Sequence, residues 1–117
     1  MPDKEILDLW RLEEAFEDDT QGIADLLDLA MQTGEKHLRS LIAAVEAHDA
    51  TGVAKAAHGI KGSAGNIGAN VVYRLACELD ERARAGMLDG AAERVRRIDE
   101  AYEQVAQQVA EYRRTQT

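Results

Sequence analysis

Hydrophobic positions along the chain recur in steps of three and four, the spacing that lines one face of an α-helix. The spacing predicts one short helix and four long ones. The first runs from about Lys4 to Phe16, with Ile6, Leu9, Leu12 and Phe16 on one side and Trp10 beside them. After an acidic break at Asp18 and Asp19, a second helix carries Ile23, Leu27, Ala30, Leu38, Leu41 and Val45. Gly34 fills its single double step, where the stripe thins. Acidic residues near its start and His48 near its end suit the helix macrodipole. Asp49 or Thr51 can cap a third helix, since either side chain can accept from the unpaired first-turn amides. Its stripe of Val53, Ala57, Ile60, Ala64 and Ile67 alternates steps of four and three, the seam of a bundle helix. Gly68 supplies a left-handed stop and Asn70 a cap for the fourth helix. That helix holds Val72, Leu75, Leu79 and Ala83 on one side and ends near Gly86. The fifth starts at about Asp89 and carries Ala91, Val95, Ile98, Tyr102, Val105, Val109 and Tyr112.

Four amphipathic helices with short connections fold most simply as an antiparallel up-down-up-down bundle. The expected fold is therefore all-α, a four-helix bundle with the short amino-terminal helix covering one end. No linker or internal repeat divides it, so residues 1–117 are expected to form one domain. A monomer is expected, because the four seams close on one another.

Charge narrows the partners. Lysine and arginine number 14 against 22 aspartates and glutamates, a net charge of -8. Phosphate backbones and anionic membranes are repelled on average, so neither nucleic acid nor a membrane is an expected partner. The longest uninterrupted apolar run, Leu41 to Val45, is too short to cross a bilayer. The start MPDKEILDLW lacks the basic and apolar regions of a secretory signal. Cys77 is the only cysteine, which leaves no internal disulfide and no Cys-rich zinc site. These features lead us to expect a cytoplasmic protein.

The informative segment is AAHGIKGSAGNIGA, Ala56 to Ala69. At about 100° per residue, His58 falls roughly 140° from the centre of the seam and points to solvent. Its helical neighbours are Ala54, Lys55, Lys61, Gly62 and Gly65. Three of the five have almost no side chain, and the other two are cationic. Gly59, Gly62, Gly65 and Gly68 each give up about 1 kcal/mol against alanine wherever the helix is intact, so stability alone does not explain them. Glycines at i+4 and i+7 let a second protein's surface approach the imidazole closely. Lys61 stands where it can neutralise negative charge arriving at that ring. A neutral, exposed imidazole is a competent nucleophile towards phosphorus.

At these residues the sequence resembles the histidine-containing phosphotransfer (HPt) family of multistep two-component signalling. Ala57, His58, Lys61, Gly62, Ser63, Ala64, Gly68 and Ala69 carry the likeness, as AHxxKGSAxxxGA. Weaker matches are Asp49 before the motif, then Leu75, Ala76, Leu79 and Asp80 ahead of Arg84 and Gly86. The likeness spans about Phe16 to Gly86. It implies that His58 accepts a phosphoryl group, that Lys61 helps to hold it, and that Gly62 keeps the approach open. Ser63, Ala64 and Gly68 would support packing and helix termination. Gly62, Gly65, Ala54 and Lys55 would belong to the surface that docks a receiver. The resemblance further implies response-regulator receiver domains and a hybrid sensor histidine kinase as partners, with magnesium and most catalytic groups on the receiver. The protein would be a phosphocarrier with no intrinsic cofactor and not an enzyme in its own right, in keeping with the lack of a glycine-rich nucleotide site. Two positions depart from the family. Gly59 stands where a larger, often polar residue is usual, and Asp80 is one carbon shorter than the usual glutamate.

Other candidates have plainer explanations. His37 lies near the edge of the second helix's stripe and His48 near its carboxyl end, as structural or solvated residues. Neither Glu35 nor Glu46 stands three residues ahead of a histidine, so no metal site of the bundle kind is expected. Arg94, Arg96 and Arg97 form a local basic patch that is either a solvated face or a contributor to docking. An adaptor that binds a receiver without being phosphorylated also fits the pattern, and His58→Gln separates it from a relay.

Overall fold

A computed structural model describes residues 3–116; Met1, Pro2 and Thr117, part of the expected 1–117 domain, lie outside the described residues. Five helices follow in order: α1 (Leu9–Ala15), α2 (Thr20–Glu46), α3 (Ala50–Ile67), α4 (Asn70–Arg84) and α5 (Ala91–Thr115). Helix α3 packs between α2 and α4, and α5 closes the ring against the same two neighbours. The result is the expected antiparallel four-helix bundle, a rod of 45 × 20 × 20 Å. Its core is the predicted seam: Ile23, Leu27 and Leu41 of α2, Val53, Ile60 and Ile67 of α3, Val72 and Leu79 of α4, and Ile98 and Val105 of α5 are all buried. Among the described residues no helix is long and apolar enough to cross a membrane.

The first helix is shorter than the spacing predicts. It begins at Leu9, where the Asp8 carboxylate accepts from the Arg11 amide at 3.2 Å, and Lys4 to Ile6 form a turn instead. The reason lies in where that segment's polar groups go. The Asp8 amide donates to the Gly68 carbonyl (3.1 Å), and the Glu5 carbonyl accepts from the Val71 amide (3.0 Å). The Lys4 carbonyl accepts from the Asn70 side chain (3.3 Å), and Glu5 pairs with Arg74 (2.8 Å). A helix through these residues would engage the same backbone groups internally. Ile6 and Leu7 are still buried, as a plug over the end of the α3–α4 hairpin.

The same contacts correct the predicted cap of α4. Asn70 is the first helical residue and its side chain reaches Lys4, so Ala69 takes the cap position without a side-chain bond. At α3, Asp49 is the cap, accepting from Gly52 at 3.0 Å, and Thr51 lies inside the helix. Gly68 ends α3 with φ of 71°, the left-handed conformation expected of it. Helix α5 starts two residues later than expected, at Ala91. In α4 the buried apolar positions are Val72, Ala76, Leu79 and Ala83, and Leu75 is only half-buried.

The thin point of α2 has a partner. At Gly34 the Tyr102 ring of α5 lies so close that a Cβ would stand 2.8 Å from its Cζ. An aromatic from one helix fills the step left open in another. Burial raises the Tyr102 phenol above its usual pKa, with the Ser63 hydroxyl of α3 as a smaller opposing influence.

Candidate functional site

His58 sits in the middle of α3 with 63% of its side chain exposed. The seam that buries Val53, Ala57, Ile60 and Ala64 turns this residue outward, as the wheel predicts. The ring is not isolated, because its Nδ1 faces the Asp80 carboxylate of α4 at 3.9 Å. That distance exceeds a hydrogen bond, so the contact is electrostatic. Among the described residues no other acidic partner lies within ion-pair distance of the ring, which leaves Nε2 as the nitrogen not facing a carboxylate.

Asp80 is the one buried charged or polar residue among those described, at 3% exposure. A buried carboxylate is costly unless it is paired and hydrogen-bonded. Here Arg84 Nε donates to Oδ1 at 2.9 Å, while Lys61 Nζ stands 3.6 Å and His58 Nδ1 3.9 Å from Oδ2. One carboxylate thus gathers the histidine, the lysine one turn below it and an arginine one turn along α4. Asp80 was visible in the sequence only as a weak family match. A stronger signal was there: it follows the buried Ala76 by four residues and precedes the buried Ala83 by three, an acid on an apolar stripe.

The predicted neighbours divide by what surrounds them. Gly62 is exposed, and a Cβ there would meet nothing within 4 Å. Gly65 is partly roofed by Tyr73, whose ring would stand 3.4 Å from such a Cβ. Ala54 is half-buried against the core, and Lys55 is exposed. Gly59 has a structural reason: the His37 imidazole of α2 lies where its side chain would be, with Nδ1 2.6 Å from the Cβ position. The small residue lets α2 and α3 approach, and α3 runs unbroken through it.

The basic residues of α5 are neutralised. Arg94 reaches Glu78 of α4 at 2.7 Å, while Arg96 and Arg97 both pair with Glu93. Those pairs hold the Glu93 carboxyl below its usual pKa, the Arg96 hydrogen bond first among the causes. Among the described residues no group of three His, Cys, Asp or Glu is placed to hold a metal ion.

Comparison with known proteins bears on this arrangement directly. The sequence matches the profile of the Hpt domain over residues 25–108, which takes in all of α3 and α4 and most of α2 and α5. The chain belongs to the Hpt domain family. Its fold is similar to the crystal structure of histidine-containing phosphotransfer protein B (HptB) from Pseudomonas aeruginosa PAO1, with a TM-score of 0.82 and 34% identity. The likeness covers 93% of this chain and 96% of that one. No curated protein sequence matches. Hpt domains are phosphocarrier modules of phosphorelays, without an ATP site of their own, and they interact with receiver domains and kinases. In this Hpt domain α3 and α4 bring together an exposed imidazole, a buried carboxylate and two cations, with one unobstructed glycine beside them.

Proposed function

We propose that the protein carries a phosphoryl group on His58 between the aspartates of two receiver domains. The observation that carries this reading is the exposed His58 ring, Nδ1 towards buried Asp80, standing one turn from a glycine with nothing over it. The Nε2 lone pair attacks the phosphorus of a receiver's phosphoaspartate. The phosphorus–oxygen bond to that aspartate breaks, and its electron pair leaves on the carboxylate. Positive charge then develops on the imidazole, and Asp80 stabilises it from the Nδ1 side. Lys61 supplies positive charge to the transferred oxygens, and Gly62 leaves room for the receiver's main chain. In the second half-reaction another receiver's carboxylate attacks the same phosphorus, and the electron pair of the N–P bond returns to Nε2.

Magnesium belongs to the receiver, and a hybrid sensor histidine kinase is the proposed source of the first phosphoryl group. The test is intact-mass analysis at neutral to alkaline pH, after incubation with a phosphorylated receiver and magnesium. The wild type gains one acid-labile phosphoryl group and His58→Gln gains none. If neither gains it with several active receivers, while binding persists, the protein is an adaptor.

A further inference from the structure

The charge of this protein is unevenly placed. From Ala50 to Cys77 there is no aspartate or glutamate, in a chain whose net charge is -8. Most lysines and arginines elsewhere are held by carboxylates, carbonyls or, for Lys4, the Trp10 ring. Among the described residues Lys36, Arg39 and Lys55 make no ion pair or hydrogen bond. Lys36 adjoins His37, the residue seated on Gly59, and Arg39 follows one turn later. Lys55 stands one turn before His58 and lines a recess between α2 and α3 together with His37 and Ser40. The carboxylate at the far end of that recess, Asp49, is engaged by the Gly52 amide.

Beyond the His37–Gly59 contact the same crevice continues as a second recess, lined by Leu26, Leu29, Ala30, Gly59, Ser63 and Asn66. Leu29 is 61% exposed there, a large apolar side chain with no cover. The α2–α3 face therefore has a basic end and an apolar end, with His58 beside the junction.

We infer that this face takes its receiver in one orientation, an acidic rim against Lys36 and Lys55 and an apolar side chain in the recess beside Leu29. The inference rests on the relay reading and names the partner's chemistry: a receiver with carboxylates beside its phosphorylation site. Charge complementarity selects that occupant. An acidic partner is repelled by most of this molecule and attracted only where the unpaired cations stand, so the patch sets both encounter and register.

The test is affinity for a panel of magnesium-loaded receiver domains from the same organism, measured at low and at physiological ionic strength. Lys55→Glu and Lys36→Glu each weaken the receivers bound by the wild type by roughly tenfold at low salt, and by less as salt rises. Leu29→Ser weakens them by roughly fivefold at either salt. Arg97→Glu, an equal change of net charge on the opposite side, leaves affinity within about twofold. Equal losses for Lys55→Glu and Arg97→Glu would overturn the inference, because net charge alone would then be acting. So would binding insensitive to Lys55, binding to no receiver at all, or a dimer in sedimentation that Leu29→Ser dissolves. Phosphorylation of His58 is scored on the same receivers. A receiver that phosphorylates the protein yet binds Lys55→Glu normally removes the docking inference alone. One that binds through Lys55 without ever phosphorylating His58 removes the relay reading alone.

Discussion

Helix α3 holds four glycines, and at Gly62 alone would an added Cβ meet nothing within 4 Å. Gly59 makes room for His37, and Gly65 lies under Tyr73, whereas Gly62 faces open space. Gly62→Ala should therefore stabilise the fold by about 1 kcal/mol, a rise of about 4 °C in Tm by calorimetry. Gly62→Leu should fold equally well and yet slow phosphoryl uptake by about a hundredfold, read by the same mass assay. Unchanged uptake would mean that the bare position serves something other than access. The exposure of His58 and the openness at Gly62 were legible in the sequence, because both follow from the period of a single helix. The roles of Asp80 and His37 were not. Each depends on how far one helix slides along another, and spacing within a helix carries no such register.

At the level of elements, α3 is bounded by two left-handed residues of different kind. Gly68 closes it at φ 71° with no steric penalty, while His48, between α2 and α3, holds φ 53° with a full side chain. The Asp49 amide reaches back to the Ala44 carbonyl at 2.9 Å, and the His48 amide to Val45 at 3.1 Å, the closing bonds of a helix that ends in this conformation. His48→Gly should raise stability by about 0.5–1 kcal/mol, because relief of strain exceeds the added freedom of the unfolded chain. The urea midpoint should move up with its slope unchanged; a midpoint at or below the wild type would show that the turn holds His48 without strain. The sequence placed the stop at Gly68 correctly because glycine announces it. It misplaced the start of α1, since what delays that helix is a set of hydrogen bonds to residues some sixty positions away.

For the molecule as a whole, the long α2 and α5 overhang the shorter α3–α4 hairpin, and α1 with its preceding turn fills the step. Two tyrosines of α5 help to hold this assembly. Burial, and for Tyr112 also the charges of Glu13, Asp18 and Asp19, raises both phenols above their usual pKa. The unfolded chain therefore releases these protons first as pH climbs. Their contribution is complete below the unfolded tyrosine value, about 10, and is lost as pH rises through the higher folded values. Melting temperature recorded from pH 8 to 11 should fall at the alkaline end, and Tyr102→Phe should fall less steeply; parallel curves would remove Tyr102 as a cause.

His58 lies midway along one flank of a rod, and the cradle that holds it is built from one side of α3 and one side of α4. If His58 is the carrier, a single nitrogen on a single flank gives the donor and the acceptor the same berth. They must take turns. On the relay reading, the carrier works by a ping-pong cycle in which an excess of either receiver, idle and unphosphorylated, obstructs the other, and signal throughput peaks when the two are in balance.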